Sequence, residues 1–169
     1  MTPTPAEPRI TLERTLQASL EEVWDLWTTA EGIEAWWGPD GFAVTVQSMD
    51  VRPGGELRYT MSASAPETVA FMRSHGLPVS TSNRARFTEV ERPRRLAWMH
   101  LVDFVPGVAP YQVAHRLELR PAEGGGVRLL VTIDRMHDDT WTERAVMGWE
   151  NELGRMARAL AARTGARAR

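Results

Sequence analysis

Four histidines are the side chains in this sequence best suited to proton transfer or metal binding: His75, His100, His115 and His137. His100 and Asp103 share one predicted strand, and His115 lies on the next. Their spacing matches no zinc-binding pattern, and residues three apart on a strand point to opposite faces of a sheet. We therefore expect no metal site.

His115 differs from the other histidines because it alternates in phase with the apolar side of its strand, formed by Tyr111, Val113, Leu117 and Leu119. Two interpretations are open. His115 is either a polar group that faces a ligand cavity or a hydrogen-bonded histidine of the core.

No sequence motif indicates catalysis. The segment 137–139, His-Asp-Asp, brings imidazole and carboxylates together, but acidic side chains at this place are also typical of a helix start. The sequence has no G-x-S-x-G, Walker or G-x-G-x-x-G motif, and the glycines at 124–126 lie between two predicted strands with no following helix. We expect no catalytic residue and no cofactor.

The composition is typical of a single globular domain, with 169 residues, 43% of them hydrophobic and 25% charged. Twenty basic and 22 acidic residues give a net charge of -2, which argues against nucleic acid and anionic membranes as partners. There is no cysteine, no signal-peptide pattern and no apolar run long enough to span a bilayer. The expected location is the cytoplasm, without membrane insertion.

The first third of the chain predicts a strand followed by two short helices. Residues 9–17 alternate as a half-buried strand does, and residues 19–22 form a capping box that starts a helix. Residues 28–31 repeat the capping pattern, so a second helix is expected to start at Thr28 and to run through Trp37.

Alternating polar and apolar residues predict six further strands. The expected ranges are 42–51, 56–61, 84–91, 95–104, 111–120 and 127–136, separated by turns rich in glycine and proline. Antiparallel pairing is expected because the connections are short.

A helical insertion at 64–78 interrupts these strands. Ser64 is expected to cap it, and Val69, Phe71 and Met72 are its apolar residues. The insertion is either a lid that controls access to a cavity or a segment that covers a sheet edge or makes a dimer contact.

A long helix is expected at the C-terminal end, starting at 140–143. Its apolar residues recur every three or four positions and form one stripe: Trp141, Ala145, Trp149, Leu153, Met156 and Leu160. Such a stripe must pack on another element, and the sheet is the only candidate.

The order of these elements, together with four spaced motifs, resembles the activator of heat-shock-protein-90 ATPase homologue family of the START-like, SRPBCC superfamily. The motifs are WWGPDGF at 36–42, Arg-Pro-Gly-Gly at 52–55, Glu-Arg-Pro at 91–93 and Gly-Trp at 148–149. The resemblance implies an α+β helix-grip fold, in which a curved antiparallel sheet wraps around the long C-terminal helix and leaves an internal cavity.

The resemblance also suggests how the chain is organised. We expect one START-like domain at 9–163, a disordered lead-in at 1–8 and a flexible tail at 164–169.

The paired Trp36 and Trp37 point about 100° apart on a helix, so one is expected to anchor the helix and the other to border the cavity mouth. The alternative is that both only stabilise the fold.

The function that the resemblance favours is binding of a small hydrophobic or amphipathic molecule in that cavity. The candidate ligand-binding residues are Trp37, Phe71, Phe87, Tyr111, His115, Trp141, Ala145 and Trp149. One alternative is an enzyme similar to polyketide cyclases or dehydratases, with His115, Tyr111 or Asp103 moving protons. Another is a chaperone-interaction protein with a role in the stress response. Homodimer formation is a further open possibility.

Overall fold

The structure is a computed structural model that describes residues 9–167. Within this range the chain forms seven strands and four helices. The predicted lead-in at 1–8 lies outside the described residues. Among the residues described, no helix is long and apolar enough to cross a membrane.

The order of the elements is the one predicted from the sequence. Along the chain they are β1 (Ile10–Leu16), α1 (Leu20–Thr28), α2 (Ala30–Trp36), β2 (Phe42–Met49), β3 (Glu56–Ala63), α3 (Pro66–Ser74), β4 (Ser80–Glu91), β5 (Arg95–Val102), β6 (Tyr111–Pro121), β7 (Val127–Ile133) and α4 (Asp139–Arg167). The predicted helix-grip fold is confirmed.

The seven strands form one antiparallel sheet in the order β1-β7-β6-β5-β4-β3-β2. The pairing register shifts between Val46 and Ser48 in β2 and between Phe87 and Glu89 in β4. Such irregularities increase the local bend and twist of a strand, so they help the sheet to curve around the core. The inner face of this curved sheet carries most of the buried apolar side chains.

The capping box predicted at the start of α1 is present. The Ser19 hydroxyl accepts the Glu22 N–H at 3.1 Å, and the Glu22 carboxylate accepts the Ser19 N–H at 2.9 Å. The prediction for α2 was wrong by one residue, because Thr29 and not Thr28 is its cap. The extended backbone of Thr29 lets its hydroxyl accept the Gly32 N–H at 2.9 Å.

Gly32 permits a very close approach of α2 to α1. A Cβ atom at this position would lie 2.4 Å from the Asp25 carbonyl oxygen and 2.7 Å from the Leu26 Cα. One turn later, the Trp36 indole nitrogen donates to the Leu26 carbonyl oxygen at 2.9 Å. The two short helices therefore form one rigid unit.

The insertion helix α3 starts differently from the prediction. Its N-cap is Ala65, which has no side chain able to cap, and Pro66 takes the first helical position. The Ser64 hydroxyl instead donates to the Gly41 carbonyl oxygen at 3.2 Å. This bond ties the insertion to the turn before β2, and none of the residues 66–74 is buried.

The long helix α4 begins one residue before the expected cap range. The carboxylate of Asp138 accepts the Trp141 N–H at 2.7 Å, so Asp138 caps the helix in place of the predicted Thr140. The helix continues to Arg167, and residues 164–167 of the predicted flexible tail are therefore helical, while 168 and 169 lie outside the described residues.

The predicted apolar stripe of α4 is buried only from Trp149 onward. Trp149, Leu153, Met156 and Leu160 are buried, whereas Trp141 and Ala145 are half-buried. In the first turns the buried face passes instead through Thr142, which is 3% exposed, and Val146, which packs against the core.

Replacing Leu153 by Ala should lower the free energy of unfolding by about 2 to 5 kcal/mol, because Leu153 is 0% exposed and its loss leaves a cavity. Urea denaturation of the two proteins measures the difference. Met147→Ala, on the same helix at 72% exposure, is the control and should change stability by less than about 0.5 kcal/mol. Equal small effects from both changes would contradict this packing.

Candidate functional site

Five of the seven tryptophans form one cluster between the inner face of the sheet and the helices: Trp27, Trp36, Trp37, Trp98 and Trp149. Contacting rings in it lie with centroids 4.6 to 6.4 Å apart. Trp27 is central, because it contacts each of the other four and stacks on Trp149 at an interplanar angle of 12°. All five are buried.

Three rings of the cluster border a small space of about 20 Å³, which we call the enclosed space because all its lining residues except His100 are buried. This volume is close to the minimum of roughly 10 to 15 Å³ that holds one water molecule. The space is lined by Trp27, Ile33, Trp37, Leu57, Tyr59, Ala85, Phe87, Leu96, Trp98 and His100. Indole rings thus occupy much of the volume in which the sequence predicts a cavity.

The two adjacent tryptophans have separate roles. Trp36 fastens α2 to α1 through its bond to the Leu26 carbonyl, and Trp37 borders the enclosed space. Trp37 also meets Trp149 edge to face at 5.3 Å, which links the end of α2 to α4. Trp37 lies inside the core and not at a mouth open to solvent.

The predicted site residues lie at three depths. Trp37 and Phe87 line the enclosed space. His115 and Trp149 lie behind it, with their rings 5.5 Å apart, and His115 also stacks on Trp98 at 5.3 Å.

Tyr111, Trp141 and Ala145 lie farther out and are half-buried near the start of α4. The Tyr111 hydroxyl is 2.7 Å from Nδ1 of His137, and the Trp141 ring is 6.0 Å from the same imidazole. None of these three residues lines the enclosed space.

Phe71 is not brought together with the other candidates. It is 55% exposed on α3 and packs on His75 at 4.1 Å, and it does not line the enclosed space. The amphipathic pattern of the insertion gave no indication of which surface its apolar residues would face.

His115 is held as a neutral imidazole. Its Nδ1 donates to the Val113 carbonyl oxygen at 3.1 Å, which assigns the proton to Nδ1 and leaves Nε2 as an acceptor. Burial lowers the pKa of His115 to about 3, and the nearby His100 contributes to the lowering. This geometry fits the hydrogen-bonded core interpretation, while the ring stays next to the cluster.

Tyr59 and His100 form a polar pair that the sequence reasoning did not identify as a site. The Tyr59 hydroxyl lies 3.5 Å from Nε2 of His100, and both residues line the enclosed space. Burial lowers the pKa of His100 to about 4, with Asp103 opposing the change, and burial raises the pKa of Tyr59. The alternation of Leu96, Trp98 and His100 along β5 is the signal that identifies the inner face.

Glu152 is a further residue that sequence reasoning missed. Burial raises the pKa of its carboxyl to about 8, although the Gly38 N–H and the charge of Arg155 favour the ionised form. It lies three residues after Trp149 and four before Met156, where the helical period predicts an apolar residue. An acidic residue at such a position is the signal that could have revealed it.

The Gly-Pro-Asp-Gly turn after the paired tryptophans is fixed to α4 by polar bonds. Gly38 adopts φ 90°, a conformation that favours glycine. Arg155 donates to the carbonyl oxygens of Gly38 at 2.6 Å and Pro39 at 2.9 Å. Asn151 accepts the Asp40 N–H at 2.8 Å. The end of α2 is thereby held at a defined place on α4.

The polar groups around the cluster are suited to hydrogen bonding with a ligand. In the described range 9–167, no three His, Asp or Glu side chains come together as a metal site. Both imidazoles next to the cluster are neutral at pH 7 because their pKa values are lowered to about 4 and about 3. The arrangement offers an aromatic surface with a few uncharged donors and acceptors.

Comparison with known proteins places the chain in a family. A family model described as Activator of Hsp90 ATPase homolog 1-like protein matches residues 17–161. That range includes all five tryptophans of the cluster. No functionally curated protein matches the chain in sequence.

Several solved structures share the fold over nearly the whole chain. A protein from Nitrosomonas europaea is 23% identical with a TM-score of 0.71, covering 96% of this chain and 99% of that one. The AHSA1 protein from Silicibacter pomeroyi is 19% identical with a TM-score of 0.73, covering 92% and 99%. The AHSA1-like protein from Aeromonas hydrophila is 20% identical with a TM-score of 0.72, covering 93% and 94%. Identities this low establish a common fold and no more.

The raised pKa of Glu152 predicts a dependence of stability on pH. The folded carboxyl keeps its proton up to about pH 8, whereas the unfolded one loses it near 4.5, so folding binds a proton between these values. Wild-type stability should therefore fall from pH 4.5 to 8 relative to Glu152→Gln, by at most about 1.4 kcal/mol per pH unit. The amide of the variant retains an oxygen that can accept the Gly38 N–H.

Urea denaturation at several pH values measures this difference. Glu143→Gln, an exposed change on the same helix, is the control and should follow the wild-type profile. Parallel stability curves for Glu152→Gln and the wild type would show that the Glu152 carboxyl is ionised in the folded protein at neutral pH.

Proposed function

The chain belongs to the family of activator of Hsp90 ATPase homolog 1-like proteins, and on that premise we propose that it binds a small hydrophobic or amphipathic molecule. The proposed binding site is the region between strands β3 to β5 and the helices α1 and α2, next to Trp149 of α4. The observation that carries this proposal is the enclosed space beside the tryptophan cluster, with Tyr59 and His100 at its polar edge.

The lining supports a ligand that is mostly apolar. Ligand sites in proteins are concave and largely hydrophobic or aromatic, with a few polar groups that fix orientation. Here Phe87, Leu57 and Leu96 supply apolar walls beside the indole rings. Tyr59 and His100 supply the few polar atoms.

The enclosed space has to enlarge when a molecule enters. The burial of α4 indicates where this occurs, because Trp141 and Ala145 are half-buried while Leu153 and Met156 are fully buried. Movement of the first turns of α4 uncovers one buried side chain, Thr142, whereas movement of the later turns uncovers Leu153, Met156 and Leu160. The ligand therefore enters past Ala145 and displaces side chains of the cluster.

We expect the neutral dye N-phenyl-1-naphthylamine to bind with saturable, one-to-one stoichiometry, measured by its fluorescence increase. Ala145→Trp should abolish this binding, because a large side chain at this half-buried position blocks the entry path that we propose. Ala157→Trp is the matched control: it adds the same side chain at an exposed position of α4 and should leave binding unchanged.

Two results would contradict the proposal. The first is a folded wild-type protein that shows no saturable dye binding. The second is Ala145→Trp binding as tightly as the wild type, which would place the dye elsewhere. Stimulation of an Hsp90 ATPase by a protein that takes up no dye would favour the chaperone-interaction alternative.

A further inference from the structure

One buried polar atom in the cluster lacks a hydrogen-bond partner. Across residues 9–167, the indole nitrogen Nε1 of Trp27 is the only buried side-chain nitrogen or oxygen in this condition. Trp27 is 2% exposed and lines the enclosed space. The neighbouring Trp36 shows the usual solution, since its own indole N–H is satisfied by the Leu26 carbonyl at 2.9 Å.

A buried N–H without an acceptor is costly, and native structures rarely retain one without a reason. Its position beside a space that borders Tyr59 and His100 gives such a reason. A ligand that carries an oxygen atom into this space would supply the missing acceptor. The Tyr59 hydroxyl is hydrogen-bonded to the Trp37 side chain and lies 3.5 Å from Nε2 of His100, so these polar groups are held beside the same space.

The charge of the ligand is restricted by the lining. No Arg, Lys, Asp or Glu is among the residues that line the enclosed space. His100 and His115 are neutral at pH 7 because burial lowers the pKa of each, and burial raises the pKa of Tyr59 above its ordinary range. Glu152, with a pKa raised to about 8, is protonated at pH 7 as well. An ionised ligand would thus be buried without a counter-charge.

The aromatic lining of the enclosed space favours a flat ligand. The rings of Trp27, Trp37 and Trp98 meet one another at angles from 50° to 79°, and they present flat faces and edges to the enclosed space. Such surfaces gain most from contact with another flat ring, stacked or edge to face.

We propose, resting on the ligand-binding function above, that the ligand is a neutral ring compound with an acceptor oxygen, such as a carbonyl, and that Trp27 Nε1–H donates to this oxygen. Trp27 is then a specificity-determining residue as well as the centre of the core.

Three probes of nearly the same shape separate the features of this proposal. Acetophenone carries a neutral carbonyl, isopropylbenzene has a methyl group in place of the carbonyl oxygen, and benzoate has a carboxylate in place of the acetyl group. Their dissociation constants at pH 7 are measured by calorimetry for the wild type, Trp27→Phe and Trp24→Phe. Trp24 is the matched control, because it is a buried tryptophan that does not line the enclosed space.

The informative quantity is the ratio of the acetophenone and isopropylbenzene affinities, since differences in their hydration cancel between proteins. Trp27→Phe should lower this ratio about three- to tenfold, the value of one net hydrogen bond. Trp24→Phe should leave the ratio unchanged, and benzoate should not bind.

A second measurement needs no variant. In proton–nitrogen spectra of the wild type, the Trp27 Nε1–H proton should move downfield with acetophenone and not with isopropylbenzene. This readout remains available if Trp27→Phe does not fold.

The outcomes distinguish the two proposals. If neither neutral probe binds while the dye does, the function stands and the proposal of a ring compound with an acceptor oxygen is wrong; if the dye does not bind either, the ligand-binding function itself is wrong. If isopropylbenzene binds but the ratio and the Trp27 proton do not change, the function stands and the role of Trp27 is wrong. Binding of benzoate as tight as that of acetophenone would overturn the requirement for a neutral ligand.

Discussion

The packing of this fold depends on the burial of five tryptophan side chains in one cluster. Trp27 touches the other four rings, and these are supplied by α2, the residue that ends it, β5 and α4. Each of these elements must therefore reach its final position for the cluster to close. The tight α1–α2 contact at Gly32 and the bends in β2 and β4 serve that arrangement. Burial of large aromatic side chains is among the strongest contributions that a small domain can gain.

The same burial determines the chemistry of the site. Imidazoles lose their tendency to bind protons and a carboxyl keeps its proton, because charged forms are poorly solvated among indole rings. Stability and site polarity are thus two results of one packing. A region built this way suits recognition of uncharged molecules. Its polar atoms orient a ligand by hydrogen bonds and not by ionic attraction.

The fold was largely predictable because its signals are local. Alternation gave the strands, and spacing of three and four gave α4. The caps at Thr29 and Asp138 were missed because residues able to cap lie beside each other, and backbone geometry selects between them. The site was less predictable. Tyr59 and His100 come next to the cluster only after the sheet curves, and Glu152 is buried only after α4 docks. A single sequence shows just that each lies on an inward face.

Hydrogen bonds join α4 to the turn before β2, from Asn151 to Asp40 and from Arg155 to Gly38 and Pro39. The two segments are more than a hundred residues apart in the sequence. During synthesis on the ribosome, the whole sheet leaves the exit tunnel before α4 does. The inner face of the sheet, with Trp98 and Phe87 on it, then has no helix to cover it. The nascent chain consequently passes through an intermediate with an exposed apolar surface, and it is most vulnerable to aggregation until α4 docks on the sheet.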